Sequence, residues 1–311
     1  MDLVSVKWPQ EAFKNPMHKS EVEKQPKPSE KEKLSLAQSL NHNGEVNKAR
    51  YMPQSFNIVA TKTVSGEIHI FDLFKHHSRP EGIDHLAKPN LRLLGHTEEG
   101  YGLSWNTLRY GTVASGSNDG RICVWDVSGS TIPERDNLME PLQSMENAHR
   151  GQVVDDVCWS HYDESVIFSV GDDKSINVWD CRSCTPCSSN EDAHTQEIMS
   201  VDASPFDQNI IVTGSMDGLV SLWDCRNLSQ TLHSFKGHEG DVTQTKFASL
   251  HPSLLASSGS DNQVLVWDIS KIGEESELMF VHAGHTARVS DISWNSNEKL
   301  TLASVSEDNI I

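Results

Sequence analysis

Positive charge is scarce in this chain. Its 311 residues carry 26 Lys and Arg against 44 Asp and Glu, a formal net charge of −18. A field of that sign repels nucleic acid and anionic membrane and draws basic partners, although solubility alone accounts for acidity in many proteins. Long apolar runs are missing too: none comes near the ~20 residues a helix needs to cross a bilayer. The opening stretch MDLVSVKWPQEAFKN has no basic region followed by an apolar core, so no secretory signal is read. Cysteines are few. Cys123, Cys158, Cys181, Cys184, Cys187 and Cys225 form no disulfide framework in a chain this long, and a reducing compartment, cytosol or nucleus, is the natural reading. No phosphate-cradling glycine loop is present: GTVASGSNDG reads as strand and turn and precedes no helix. No segment sustains a helical period. What is there, 36% hydrophobic and 23% charged residues, is the balance of a folded globular chain.

A repeat dominates the rest. Gly-His or a similar pair recurs at Asn41-His42, Gly95-His96, Ala148-His149, Ala193-His194, Gly237-His238 and Gly284-His285. Trp-Asp closes four units, at 125–126, 179–180, 223–224 and 267–268, and Phe71-Asp72 stands in for it in the first. From His to the closing aromatic there are 29 residues in four units and 30 in the third, whereas successive histidines lie 54, 53, 45, 44 and 47 apart. Fixed cores joined by variable spacers are what blades linked by surface loops produce. Within a unit the runs are short, β-branched and divided by turns, as in GYGLSW, GTVASGS and RICVWDV, and a fourth follows the Trp-Asp, as in LHSFKGH. Four strands per 40-odd residues predict an all-β, WD-repeat β-propeller. Residues 1–40 read as a partial first blade with a charged loop, and 41–311 as blades opening near His42, His96, His149, His194, His238 and His285.

His96, Ser115, Asp119 and Trp125 recur as His149, Ser169, Asp173, Trp179, as His194, Thr213, Asp217, Trp223, and as His238, Ser257, Asp261, Trp267; His285, Ser304 and Asp308 begin a further set. A hydrolase triad occurs once, so a set that repeats reads instead as a buried hydrogen-bond chain of carboxylate, imidazole, hydroxyl and indole. No unrepeated catalytic set is found, and neither an enzyme nor a cofactor is expected. Cys181, Cys184 and Cys187, with His194 beyond, could be considered for zinc, but the spacing is not a complete finger pattern and no metal is expected. The segment HKSEVEKQPKPSEKEK (18–33) reads as a solvated loop.

NHNGEVNKARYMPQ, LRLLGHTEEGYGLSWN, LASSGSDNQVLVWDISKIGEE, HAGHTARVSDISWN and SVSEDNI are more specific than generic repeat landmarks. Together they resemble the retinoblastoma-binding, MSI-type histone chaperones of the WD-repeat superfamily, from about Leu3 to the last residue. The resemblance implies a seven-bladed propeller that holds core histones and serves deacetylase, nucleosome-remodelling, Polycomb and chromatin-assembly complexes in the nucleus, without direct nucleic-acid or membrane binding. About six repeats are present here. Relatives begin with a long helix and earlier strands, carry an acidic insertion after SKIGEE, and close on a Trp about three residues past Ile311. The expectation is therefore a chain shortened at both ends, without the side groove for a histone helix and with an open strand edge, an aggregation liability.

In a propeller the loop before each innermost strand opens on one face around the central channel. Six residues before the end of that strand stand Glu45, Glu99, Val153, Glu197, Asp241 and Arg288; two residues later come Asn47, Tyr101, Asp155, Met199, Thr243 and Ser290. Rotation makes these a mostly acidic ring with one aromatic, suited to a Lys- or Arg-rich peptide. The resemblance places a histone-tail and cofactor-peptide site on this face, matched here by Glu45, Asn47, Glu99, Tyr101, Asp155 and Glu307, while Met199 and Thr243 depart from it. The expected binding residues are Glu45, Asn47, Glu99, Tyr101, Asp155, Glu197, Asp241, Arg288 and Glu307. The competing reading is an adaptor with another peptide preference, such as a ubiquitin-ligase substrate receptor.

Overall fold

Runs such as Phe-Asn-Ile-Val-Ala-Thr and Ile-Ile-Val-Thr, rich in β-branched residues, form strands because branched side chains pack on a pleated surface. The computed structural model describes residues 2–5, 35–79, 86–129 and 137–309. The charged segment 18–33 and Ile311 lie outside the described residues. Strands β1 (Asp2–Ser5) and β2 (Ser35–Ser39) pair as an antiparallel sheet of their own. Blade one is β3 (Val46–Met52), β4 (Ser55–Thr63), β5 (Ile68–Asp72) and β6 (Leu91–Leu93). Blade two follows with β7 (Leu103–Trp105), β8 (Thr112–Gly116) and β9 (Ile122–Asp126), then β10 (Leu138–Met139) and β11 (Gln143–Met145). β10 leaves its own blade and pairs parallel with β6, widening the first sheet to five strands.

Blades three to five are regular four-stranded meanders. They are β12 (Val154–Trp159), β13 (Val166–Gly171), β14 (Ile176–Asp180) and β15 (Thr185–Asn190); β16 (Ile198–Ala203), β17 (Ile210–Ser215), β18 (Leu219–Asp224) and β19 (His233–Lys236); and β20 (Val242–Phe247), β21 (Leu254–Gly259), β22 (Val264–Asp268) and β23 (Leu278–His282). The sixth blade contains β24 (Val289–Trp294) and β25 (Leu302–Ser306). The inner strands β3, β7, β12, β16, β20 and β24 pack on one another in that order. The architecture is the expected all-β propeller arrangement.

The core lies between blades. Consecutive residues of one strand face opposite neighbours, so Val113 and Cys123 join a cluster with blade one, while Ala114, Ile122 and Val124 join one with blade three. In blades one to five the middle strands are largely buried on both faces, which is why they read as near-continuous apolar runs. The Asp of each Trp-Asp pair caps the turn that follows: Asp126, Asp180, Asp224 and Asp268 accept backbone N–H groups two residues ahead at 2.9–3.1 Å. Side chains also tie the first blade to the last ones. Arg50 makes a two-pronged ion pair with Asp291 at 2.5 and 2.9 Å, and Lys48 donates to Gln244 at 3.0 Å.

The repeated hydrogen-bond chain forms as expected in three blades. His149 Nδ1 meets Asp173 at 2.7 Å, its Nε2 meets Ser169 Oγ at 2.8 Å, and the Trp179 indole donates to the same hydroxyl at 2.8 Å. His194, Asp217, Thr213 and Trp223 repeat it, as do His238, Asp261, Ser257 and Trp267. Blade two is the exception. His96 keeps Asp119 at 3.2 Å, but the Trp125 indole turns to the Leu94 carbonyl, and the Ser115 hydroxyl accepts Lys62 Nζ at 2.5 Å. Lys62, from blade one, is fully buried and also donates to the Gly116 carbonyl. With Lys62 Nζ on the Ser115 hydroxyl, His96 Nε2 is left without a partner among the described residues.

Candidate functional site

Each inner strand begins on what we term the leading face and ends on the trailing face. Glu45, Val153, Glu197, Asp241 and Arg288 each immediately precede an inner strand, and Glu99 stands four residues before β7. A shared backbone contact sets their height. The carbonyls of Glu99, Val153, Glu197, Asp241 and Arg288 accept the N–H groups of Asn118, Asp172, Met216, Ser260 and Glu307, at 2.8–3.3 Å. This contact spends main-chain groups only, so the side chains stay available. It also brings Glu307 beside Arg288.

The second set of positions owes its direction to a feature that residue spacing does not reveal. Inner-strand register slips between Val46 and Lys48, Val154 and Asp156, Ile198 and Ser200, Val242 and Gln244, and Val289 and Asp291. Asn47, Asp155, Met199, Thr243 and Ser290 are therefore the extra residues of five β-bulges, and a bulge re-aims its side chain out of the pleat. In blade two, Tyr101 precedes the paired part of β7 and is 51% exposed.

The bulge side chains differ in what they have left to offer. Asn47 donates to Glu99 Oε2 at 3.1 Å and to the Gly100 carbonyl at 3.3 Å, joining blades one and two. Thr243 is buried and committed: its hydroxyl lies 2.6 Å from the Val289 carbonyl. Asp155 is buried, and its Oδ2 has no hydrogen-bond partner among the described residues. Burial, and next to it the charge of Asp172, raise the Asp155 carboxyl well above the usual carboxylate range, with Asp156 and Glu197 adding to the effect. Carboxylates crowded in a half-dry site keep a proton that a cation would displace. Asp172 is the site residue that sequence reasoning missed; its signal was its place three residues after the blade hydroxyl, which in the sixth unit is held by Glu307.

The cysteine run is spread along the edge of blade three. Cys181 is buried, Cys184 Sγ donates to the Cys181 carbonyl at 3.4 Å, and Cys187 Sγ donates to the Val178 carbonyl at 3.3 Å. Among the described residues, no three His, Cys, Asp or Glu side chains converge to hold a metal ion.

Against known families, residues 88–126, 139–180, 185–224, 229–268 and 276–311 each match the WD domain, G-beta repeat. Each segment takes in the outer strand of one blade and the inner strands of the next, from β6 to β25, and the Phe71-Asp72 unit precedes them. Propellers of this kind serve as scaffolds and adaptors in protein interactions, and no catalytic family is indicated. Five matched repeats, the blade sheets and the recurring His–Asp–hydroxyl–indole chain lead to one conclusion: the chain belongs to the WD domain, G-beta repeat family.

Proposed function

We propose that this chain is a histone-binding scaffold subunit of chromatin-modifying, remodelling or assembly complexes in the nucleus, and that it holds basic histone tails or cofactor peptides on its leading face. The observation that carries this reading is the carboxylate group of Asp155, Asp172 and Glu197, in which the buried Asp155 Oδ2 has no hydrogen-bond partner among the described residues. A Lys or Arg side chain supplies that partner, and Glu45, Glu99 and the open Tyr101 ring extend the same character toward blade one. The sequence resemblance to histone chaperones narrows the basic ligand to a histone tail.

Fluorescence-anisotropy titration with a histone H3 tail peptide tests it, at two salt concentrations, against Glu45→Lys plus Glu99→Lys. Salt-sensitive binding that disappears in the still-folded variant is expected. A folded wild-type chain that ignores the peptide would leave the adaptor reading, in which the same scaffold carries a different ligand.

A further inference from the structure

The trailing face has a different chemistry. Leu108, Tyr110, Tyr162 and Phe206 lie in hairpins that follow three consecutive inner strands, and each is 45–51% exposed. These hairpins are tied to one another. Gln54 Nε2 donates to the Asn106 carbonyl at 2.8 Å, Asn106 Nδ2 to the Glu164 carbonyl at 2.9 Å, and the Tyr162 hydroxyl to the Pro205 carbonyl at 3.0 Å. The result is a pre-organised apolar collar on part of the rim, so a ligand need not order it on binding.

Inside the rim, a cavity of about 200 Å³ opens at the trailing end of the channel. Since a water molecule occupies roughly 30 Å³ of liquid, that space suits one large side chain. Arg50, Lys246, Asp156 and Asp202 line it, and their charges are matched: Arg50 pairs with Asp291, Lys246 with Asp202 at 2.7 Å, and Asp156 accepts the Val157 and Val201 N–H groups. A charged intruder finds no spare counter-charge, whereas an uncharged one leaves the existing pairs intact and brings no charge of its own to desolvate. Three tryptophans also line the cavity. The Trp105 indole donates to the Arg50 carbonyl and the Trp294 indole to the Lys246 carbonyl, both at 3.0 Å. The third, Trp159 Nε1, is buried and has no acceptor among the described residues.

We propose that the trailing face is a second docking surface, for a partner peptide that seats one large uncharged side chain in the channel mouth and presents a carbonyl oxygen to the Trp159 indole. Apolar neighbours of that residue rest on the Leu108–Tyr162–Phe206 collar. The site lies at the opposite end of the inner strands from the acidic face, roughly 20 Å away for six residues of strand. Its success or failure is independent of histone binding.

The test is a ¹⁵N–¹H spectrum of the tryptophan indoles, with the Trp159 signal assigned through Trp159→Phe. N-acetyl-phenylalaninamide and N-acetyl-leucinamide are titrated against N-acetyl-lysinamide and N-acetyl-aspartamide. The expected result is a saturable Trp159 shift with the two apolar probes alone. It should be lost in Ser249→Trp or Ser293→Trp, which fill the exposed rim of the cavity, and kept in Glu99→Lys. Either rim variant suffices if the other fails to fold. An unmoved Trp159 signal in the folded chain, or equal shifts with the charged probes, overturns the proposal. So does a Trp159 shift that grows with protein concentration alone, since the occupant would then be a second copy of the chain.

Discussion

Lys62→Met is the perturbation with the clearest expected outcome. Lys62 has no exposed surface, and burial pushes its ammonium down from 10.5 to about 7. A shift of that size corresponds to about 5 kcal/mol in favour of the neutral amine in the folded chain. The unfolded chain, with the ordinary value, binds more protons between pH 7 and 10.5, so stability rises with pH across that window. Below pH 7 the desolvation cost is present in full. Methionine removes the titration, keeps most of the volume, and frees the Ser115 hydroxyl to turn to His96 Nε2, as its counterparts do in blades three to five. The variant should therefore be at least as stable as wild type at pH 6. Between pH 7 and 9 the stability difference should move toward wild type by roughly 2–3 kcal/mol. Urea unfolding followed by circular dichroism at pH 6, 7, 8 and 9 reads this directly. Parallel stability profiles for the two proteins would refute the argument, as would a variant much weaker than wild type at pH 6. Either result would mean that Lys62 remains charged and compensated inside the blade.

Three further outcomes follow from the geometry. Asp172→Asn removes the charge that helps hold up the Asp155 proton, so histone-peptide affinity, which should strengthen with rising pH in wild type above the usual carboxylate range, should lose much of that dependence; isothermal titration at pH 5.5 and 7.5 checks it. Ser169→Ala leaves His149 Nε2 and the Trp179 indole without the hydroxyl they share, and should cost about 1–3 kcal/mol in urea unfolding. Gly171→Ala drives a Cβ into the Val153 carbonyl, the acceptor that positions Asp172; a loss of about 1–3 kcal/mol is expected, with weakened peptide binding in whatever remains folded.

The propeller was legible because its periodic residues are the ones that bury. Trp125, Trp179, Trp223 and Trp267 sit where the middle strands end, each in the cluster shared with the preceding blade, so the Trp-Asp spacing is the blade length written in residues. The leading-face positions were legible too, since a constant distance from the strand end places them on a common level. The bulges were not. A bulge depends on one strand having a residue more than its partner, and neither strand's own periodicity records it. Lys62 was hidden in the ATKT run, where a strand lysine ordinarily reaches water; only the neighbouring blade, which supplies Ser115 and Gly116, turns it inward. The parallel excursion of β10 onto β6 was equally unreadable, because Leu138-Met139 carries too little pattern to announce a partner.

The backbone contact that levels the leading face has an evolutionary consequence. The carbonyls before five inner strands and the N–H groups that meet them belong to residues as unlike as Glu, Val, Asp and Arg on one side, and Asn, Asp, Met, Ser and Glu on the other. Every residue except proline supplies both groups, so the anchoring is blind to the side chain. Substitutions there redraw the ligand preference at little thermodynamic expense to the scaffold. Selection is then free to change one position at a time, and paralogues can diverge in what they recognise while their frames stay superimposable.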